Sequence, residues 1–224
     1  MTITGFVFDL DGVITDTAKF HYQAWKEIAQ EKLDITITPA VNELLKGRSR
    51  MDSLEEIIKF GHQEGQHTLA EKEAIATEKN DRYKQLIQTM TPADILPGMG
   101  EFLQELADHH YPMSVASASF NAPFIIKRLK LEDLLGKIVD PASVKHGKPA
   151  PDIFEAAADQ IDSPYATTVG FEDATAGISG INDAGMFSVG IGDPTILDEA
   201  DLVFASTADV SLSAIEQAFA SKNA

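Results

Sequence analysis

The chain has 224 residues, 44% hydrophobic and 24% charged, and this composition indicates a soluble globular protein rather than a disordered, collagenous or membrane protein. It has no cysteine, which excludes disulfides, thiolate metal sites and cysteine nucleophiles. Its 18 lysines and arginines against 35 aspartates and glutamates give a net charge of −17, which disfavours nucleic acid and anionic membranes as partners. No apolar run approaches a membrane span and no cleavable leader is evident, so we expect a cytoplasmic protein.

The first predicted strand, Ile3–Phe8, is followed by a long stretch whose pattern is almost entirely helical. The predicted helices in this stretch are Ala18–Glu31, Pro39–Leu45, Met51–Gln63 and Leu69–Thr89. We therefore predict a helical cap domain at residues 16–92, inserted into a core domain of residues 1–15 and 93–224. An insert at the end of the first strand is well placed to act as a lid on a ligand site, and the alternative is a decoration without function.

The remaining sequence alternates between short apolar runs and helical stretches. Further strands are predicted at Met113–Ala116, Thr167–Gly170, Phe187–Ile191 and Leu202–Phe204. Helices are predicted at about Gly98–His110, Asn121–Leu129, Pro151–Gln160, Thr175–Ala184 and Ser211–Ala220. Apolar runs without polar alternation are typical of strands buried on both faces, so the pattern predicts a doubly wound α/β fold with a parallel sheet.

Two carboxylates, Asp9 and Asp11, follow the first strand at positions i and i+2. In an extended chain they point the same way, and two like charges side by side repel each other unless they share a proton or a metal ion. Gly12 allows a tight turn and a close approach of the backbone, which suits a ligand site. The alternative is a polar turn after a strand.

The segment Asp9–Thr17, Asp-Leu-Asp-Gly-Val-Ile-Thr-Asp-Thr, resembles the first motif of the haloacid-dehalogenase-like phosphotransferases. Three more segments resemble the later motifs of that family and occur in the right order: Ser117-Ala118-Ser119, Lys148–Phe154 and the acidic Gly170–Asp173. Each segment alone is weak evidence, but the order and spacing together make chance unlikely. The resemblance implies a Rossmann-like core of that family with an inserted α-helical cap.

Phosphoryl transfer needs an in-line nucleophile and dense stabilisation of the phosphate oxygens. Asp9 supplies an ionised carboxylate as the nucleophile, and Asp11 is placed to act as the general acid and base. We expect Mg²⁺ to be held by Asp9, Asp173, Glu172 and the backbone carbonyl of Asp11. We expect Ser117, the amide of Ala118 and Lys148 to hold phosphate oxygens. For Glu172 and Asp173, a helix N-cap with an acidic first turn is a second interpretation, compatible with the first.

The insert carries its own candidates. Thr17, His21 and Trp25 recur at helical spacing and share one face, where packing is an alternative to ligand contact for His21 and especially for Trp25. The segment Leu45–Ser53 is basic in an acidic chain, which indicates either a solvated helix connector or a site for a second phosphate.

Four segments together closely resemble the sugar-phosphate mutases of the same family: Asp11–Thr17, Lys46–Arg50, Lys79-Asn80-Asp81 and Ser117-Ala118-Ser119. The resemblance extends over essentially the whole chain. The resemblance implies that Thr17 and His21 are partners of Asp11 in a closed form, that Arg50 grips the distal phosphate and that Lys79 lies near the sugar. The full set of substrate-binding candidates is Thr17, His21, Trp25, Lys46, Gly47, Ser49, Arg50, Ser53, Lys79, Ser117, Ala118, Ser119, Asn121 and Lys148. Two residues depart from the family pattern: Arg48 stands where a small apolar residue is expected, and Phe120 stands where a lysine can follow Ser-Ala-Ser. These departures concern which sugar the protein prefers, and not the phosphoryl chemistry.

The resemblance implies an isomerase that interconverts β-D-glucose 1-phosphate and glucose 6-phosphate, with Mg²⁺ as cofactor and glucose 1,6-bisphosphate as activator and intermediate. The alternative is a sugar-phosphate phosphatase of the same family. A catalytically silent sensor is a third possibility, which would predict the loss of Asp9, Asp11 or Lys148, and all three are present. The expected partner is a small sugar phosphate, and no required protein partner is evident.

Overall fold

The computed structural model describes residues 1–45 and 50–223. The chain divides into two compact units: the core unit, Met1–Asp16 with Met90–Ala224, and the cap unit, Thr17–Thr89. The helices in chain order are α1 (Ala18–Leu33), α2 (Pro39–Glu43), α3 (Arg50–Phe60), α4 (Leu69–Ile87), α5 (Met99–Asp108), α6 (Ala122–Leu129), α7 (Asp152–Asp159), α8 (Thr175–Asp183) and α9 (Leu212–Lys222). The domain boundaries that we placed at residues 16 and 92 stay a prediction.

A parallel sheet forms the centre of the core unit, with five strands among the residues described. They are β1 (Gly5–Phe8), β2 (Met113–Val115), β3 (Thr168–Glu172), β4 (Phe187–Ile191) and β5 (Leu202–Phe204). Their order in the sheet is β2-β1-β3-β4-β5. The chain passes from β1 to β2 on one side and then returns to β3 on the other side, so the direction of winding reverses between β1 and β3. In doubly wound sheets, ligands bind at the carboxyl ends of the strands beside such a reversal.

Strand β1 is buried on both faces, as its uninterrupted apolar run predicts. Phe8 stacks on Phe171 of β3 with 4.9 Å between ring centroids, and it also lies edge-on to Phe102 of α5. Val7 belongs to a different cluster of buried residues, which includes Ile153 and Phe154 of α7. Helices therefore cover both faces of the sheet, and the core unit is a doubly wound α/β fold.

The cap unit is helical throughout its described residues, which contain α1 to α4. Apolar side chains of α1, α3 and α4 share one buried cluster, including Trp25, Ile28, Leu54, Ile57 and Ile75. Ion pairs join the outer faces of the helices, with Lys32 2.6 Å from Glu78 and Lys72 2.7 Å from Glu55. Helix α4 begins with a complete capping box, in which Thr68 and Glu71 bond each other's backbone amides.

The predicted elements are present, with differences at their ends. Strand β3 continues to Glu172 instead of ending at Gly170, because Phe171 and Glu172 keep their pairing with Val189 and Gly190 of β4. A buried glutamate at a strand end is invisible to a search for apolar runs. Helix α8 begins at Thr175 with Ala174 at its N-cap, so the N-cap interpretation of Glu172 and Asp173 is wrong. Within residues 1–45 and 50–223, no helix is long and apolar enough to cross a membrane.

Candidate active site

Three neighbouring strands, β2, β1 and β3, bring three of the predicted site residues to one edge of the sheet. Asp9 directly follows β1, Glu172 is the last residue of β3, and Ser117 lies two residues beyond β2. The pairing register aligns the ends of the three strands, because Phe8 pairs with both Val115 and Phe171. The amide of Asp9 extends the ladder by donating to the carbonyl of Phe171 at 3.0 Å. These residues therefore lie at the carboxyl edge, next to the winding reversal.

Three carboxylates converge at this edge. One oxygen each from Asp9, Glu172 and Asp173 lies within 4.8 Å of the others. The ammonium of Lys148 donates to Asp9 Oδ1 at 2.5 Å and to Glu172 Oε1 at 2.6 Å, and so joins two of the three. The other oxygen of Glu172, Oε2, accepts the backbone amides of Asp173 and Ala174, each at 2.8 Å.

The crowded carboxylates have perturbed protonation. Burial is the largest cause of the raised pKa of Asp9, and the charges of Glu172 and Asp11 raise it further. Lys148 lowers this pKa, and the net result is a value of about 8. Asp173 is exposed as a residue, but shielding of its carboxyl group from water, followed by the charges of Glu172 and Asp11, raises its pKa to about 7. Burial disfavours the charged form of Lys148, but the carboxylates of Asp9 and Glu172 outweigh this and raise the pKa of Lys148.

This donor set fits a hard divalent cation. Carboxylate oxygens are the protein ligands that Mg²⁺ prefers, and three carboxylates are close enough to share one ion. Desolvation is the largest cause of the raised pKa values of Asp9 and Asp173, and neighbouring carboxylates add to it, so a cation at this position would favour the ionised form of both groups. Asp11 is not one of the three clustered carboxylates, although its charge acts on Asp9 and Asp173.

The predicted phosphate-binding segment forms a turn after β2. Ser117 is buried, and its hydroxyl accepts the amide of Ser119 at 3.1 Å. The hydroxyl of Ser119 in turn accepts the amide of Asn121 at 3.2 Å, at the start of α6. Ala118 is exposed, and so is the unusual Phe120, at 69% of its surface. Hydroxyls and backbone amides are therefore gathered at the carboxyl end of β2.

Sequence reasoning missed the contact that anchors the loop carrying Lys148. The carboxylate oxygen Oδ1 of Asp152 accepts the backbone amide of His146 at 3.1 Å and also lies 3.1 Å from its Nδ1. The loop is thereby tied to the first turn of α7. The sequence signal for this contact is the segment His-Gly-Lys-Pro-Ala-Pro-Asp. An aspartate at the start of a helix can accept a hydrogen bond from a backbone amide of the preceding loop.

In the cap unit, His21 and Lys79 form a pair. Lys79 Nζ lies 2.7 Å from His21 Nδ1, and the imidazole stacks on Tyr83 with 4.0 Å between centroids. Lys79 is only 4% exposed, and its ammonium also lies over the rings of Trp25 and Tyr83. Burial and the charge of Arg50 lower the pKa of Lys79 to about 7. Burial and the charges of Lys79 and Arg50 lower the pKa of His21.

The other predicted cap residues differ in placement. Thr17 and Ser53 are buried, Arg50 is exposed at the start of α3, and Trp25 is buried in the cap cluster, as the packing interpretation predicts. Tyr83 was missed, although it follows Lys79 by one helical turn and so shares its face. Lys46, Gly47, Arg48 and Ser49 lie outside the described residues.

A doubly wound sheet with clustered carboxylates and a lysine at its switch point defines a class of phosphoryl-transfer proteins. The chain belongs to the haloacid dehalogenase-like family, since the model of the haloacid dehalogenase-like hydrolases matches residues 3–185. It is 47% identical over 211 residues to "Beta-phosphoglucomutase" of Bacillus subtilis (strain 168), with 94% of this chain and 93% of that protein covered.

Two further proteins are similar to this chain. The crystal structure of beta-phosphoglucomutase from Clostridium difficile matches with a TM-score of 0.87 at 40% identity, over 99% of each chain. A more distant relative is (DL)-glycerol-3-phosphatase 2 of Arabidopsis thaliana, 27% identical over 220 residues, with 93% of this chain and 89% of that protein covered.

Proposed function

We propose that the protein is a phosphomutase that interconverts β-D-glucose 1-phosphate and glucose 6-phosphate through a phosphorylated aspartate and a 1,6-bisphosphate. The observation that carries the proposal is Lys148, which lies between Asp9 and Glu172 in a three-carboxylate cluster. The 47% identity to the Bacillus subtilis beta-phosphoglucomutase supports this reaction.

Asp9 is the nucleophile. One of its carboxylate oxygens attacks the phosphorus of a sugar phosphate, the bond from phosphorus to the sugar oxygen breaks, and an aspartyl phosphate forms. Lys148 contacts Asp9 directly, so its positive charge stabilises both the carboxylate before attack and the phosphate oxygens during transfer. The pair of contacts with Asp9 and Glu172 keeps this ammonium at the reacting edge.

Asp11 is the general acid and base. It follows Asp9 by two residues, and its charge raises the pKa of Asp9. In the forward transfer it donates a proton to the leaving sugar oxygen. In the second transfer it accepts the proton of the sugar hydroxyl that attacks the aspartyl phosphate.

The metal ligands in this proposal are Asp9, Glu172, Asp173 and the backbone carbonyl of Asp11. When bound, Mg²⁺ supplies positive charge that neutralises the phosphate oxygens and orients them for in-line transfer. The side chains of Asp9, Glu172 and Asp173 are close enough to hold one ion.

Two groups of residues bind the two phosphates of the intermediate. We assign the transferred phosphate to Ser117, the amide of Ala118 and Lys148. The distal phosphate and the sugar are assigned to the other polar candidates of the sequence: Thr17, His21, Lys46, Gly47, Ser49, Arg50, Ser53, Lys79, Ser119 and Asn121. A further sugar contact by Trp25 stays a prediction. Glucose 1,6-bisphosphate is then both the intermediate and the activator that phosphorylates Asp9.

A phosphatase is the second candidate, because some more distant relatives are named phosphatases, such as (DL)-glycerol-3-phosphatase 2 of Arabidopsis thaliana at 27% identity. The 47% identity to a beta-phosphoglucomutase favours the mutase over this alternative. A coupled assay separates the two. With β-glucose 1-phosphate and a catalytic amount of glucose 1,6-bisphosphate, we expect NADPH from glucose-6-phosphate dehydrogenase to account for the sugar phosphate consumed. Release of inorganic phosphate at the rate of substrate loss, without glucose 6-phosphate, would establish the phosphatase instead.

A further inference from the structure

Two glycines at the carboxylate cluster lie where any other residue would collide with a clustered carboxylate. A Cβ built on Gly177, in the first turn of α8, would approach the Cδ and Oε1 of Glu172 far more closely than 3.0 Å, a separation that real Cβ atoms essentially never cross. A Cβ on Gly12 would collide in the same way with Oδ2 of Asp173. Two of the three clustered carboxylates thus pack against bare Cα atoms.

The space beside Gly177 determines where the Glu172 carboxylate lies. Glu172 is 2% exposed, and its two oxygens accept three hydrogen bonds, from Lys148 and from the amides of Asp173 and Ala174. The bonds from the two amides and the close approach to Gly177 show that the side chain folds back toward the start of α8. A methyl group at position 177 occupies that space, so the carboxylate would move and the bond to Lys148 would be lost.

Helix propensity gives no reason for glycine at this position. Glycine destabilises a helix relative to alanine, and the φ angle of Gly177 is not among the positive values of this chain. The nearest foreign atoms to the missing Cβ are all of the Glu172 side chain. Gly12 is less informative, because its φ of +78° already favours glycine whatever the space around it.

We propose that Gly177 is a positioning residue of the site. Its missing side chain leaves the space that the Glu172 carboxylate occupies, and through Glu172 it determines the positions of Lys148 and the metal ligands. Its link to metal binding rests on the function proposed above. Its steric part does not, because the collision with Glu172 exists whether or not the protein is a mutase.

The test is Gly177→Ala, with Gly100→Ala as the matched control. Gly100 also lies in the first turn of a helix, α5, but a Cβ there would meet only Ile95 at an ordinary 3.9 Å. We expect Gly177→Ala to weaken Mg²⁺ binding, measured by calorimetry, at least tenfold and to lower the melting temperature of the metal-free protein. Gly100→Ala should do neither. Equal effects of the two substitutions, or none from Gly177→Ala, would overturn the proposal.

A double-mutant cycle separates positioning from general damage to α8. In a Glu172→Ala background the colliding carboxylate is gone, so adding Gly177→Ala should leave the melting temperature unchanged or raise it. If Gly177→Ala alone does not fold, folding of the double variant supports the proposal, and failure of both overturns it. A loss of melting temperature that is the same in both backgrounds also overturns it. These stability readouts need no sugar phosphate, so they remain informative if the mutase assignment fails.

Discussion

The ammonium of Lys148 lies 2.5 Å from Oδ1 of Asp9, across 139 positions of the chain. The two residues meet because Asp9 follows β1, and the loop that carries Lys148 is tied to α7, which packs beside β1. The contact places a full positive charge next to the proposed nucleophile. It is also a largely buried ion pair, so removal of one partner leaves the other without full compensation.

Lys148→Ala should lower kcat by about 10² to 10³, the usual loss for one preorganised electrostatic donor. The measurement is steady-state turnover of β-glucose 1-phosphate with saturating Mg²⁺. Lys222→Ala is the control, because Lys222 forms an equally short ion pair, 2.6 Å from Asp201, and contacts none of the proposed catalytic residues. A comparable loss in the control, or full activity in Lys148→Ala, would contradict the role of Lys148.

Mg²⁺ affinity should fall as the pH is lowered. The pKa values of about 8 for Asp9 and about 7 for Asp173 describe the metal-free site, whereas a bound cation needs both carboxylates ionised. Protons therefore compete with the metal below about pH 8, and we expect a loss of roughly tenfold or more in affinity between about pH 8.5 and pH 6.5. Calorimetry in two buffers of different ionisation enthalpy also measures the protons released. Binding that is independent of pH, with no proton release, would show that the cluster does not bind the ion as described.

Lys79→Met should stabilise the protein while it impairs turnover. Lys79 is buried with a pKa of about 7 against the usual 10.5, so between these values the unfolded chain binds more protons than the folded one. The free energy of unfolding of the wild type therefore rises with pH across this window. Lys79→Met should flatten that rise. It should also increase the free energy of unfolding, measured with urea at pH 7, by on the order of 1 kcal/mol.

The matched control for Lys79 is Lys84→Met on the same helix, where the lysine side chain is 52% exposed. It should leave both the pH dependence and turnover unchanged. If Lys79→Met destabilised the protein at every pH, the ammonium would be supported by its aromatic neighbours more strongly than its burial opposes it.

Arg50→Ala should impair the reaction of sugar phosphates far more than that of acetyl phosphate, which has no distal phosphate to hold. Arg50 belongs to the basic segment Leu45–Ser53 and is exposed at the start of α3. The control is Arg82→Ala, which removes an arginine of the same unit that pairs with Glu27 and Glu31. If Arg50→Ala lowered the turnover of sugar phosphates and of acetyl phosphate equally, the result would contradict a distal-phosphate role.

Much of the fold and of the core site follows from the sequence, because both depend on local patterns. An apolar run that ends in Asp9 determines a strand and its carboxyl end, and parallel pairing then brings Asp9, Ser117 and Glu172 to one edge. The end of β3 could not be predicted in this way, because Glu172 is a charged residue whose burial depends on Lys148 and two backbone amides.

Contacts between distant segments lie beyond the reach of such patterns. His21 and Lys79 are 58 positions apart, and only the packing of α1 against α4 puts their nitrogens at 2.7 Å. The pairing of Asp152 with His146 and the space at Gly177 likewise depend on side-chain packing rather than on periodicity. A glycine within a helical pattern is a local signal of a packing or functional reason, but Gly100 and Gly180 give the same signal as Gly177, so the pattern alone does not distinguish them.

The most direct test of the central claim is a phosphorus balance by ³¹P NMR during turnover of β-glucose 1-phosphate with Mg²⁺ and a catalytic amount of glucose 1,6-bisphosphate. The mutase account predicts that the 1-phosphate signal is replaced by glucose 6-phosphate, that the bisphosphate persists, and that inorganic phosphate stays a minor product. Asp11→Asn should block this conversion, because neither sugar oxygen can then exchange its proton with the site. Stoichiometric inorganic phosphate, with no 6-phosphate from any hexose 1-phosphate tested, would contradict the account and establish a phosphatase.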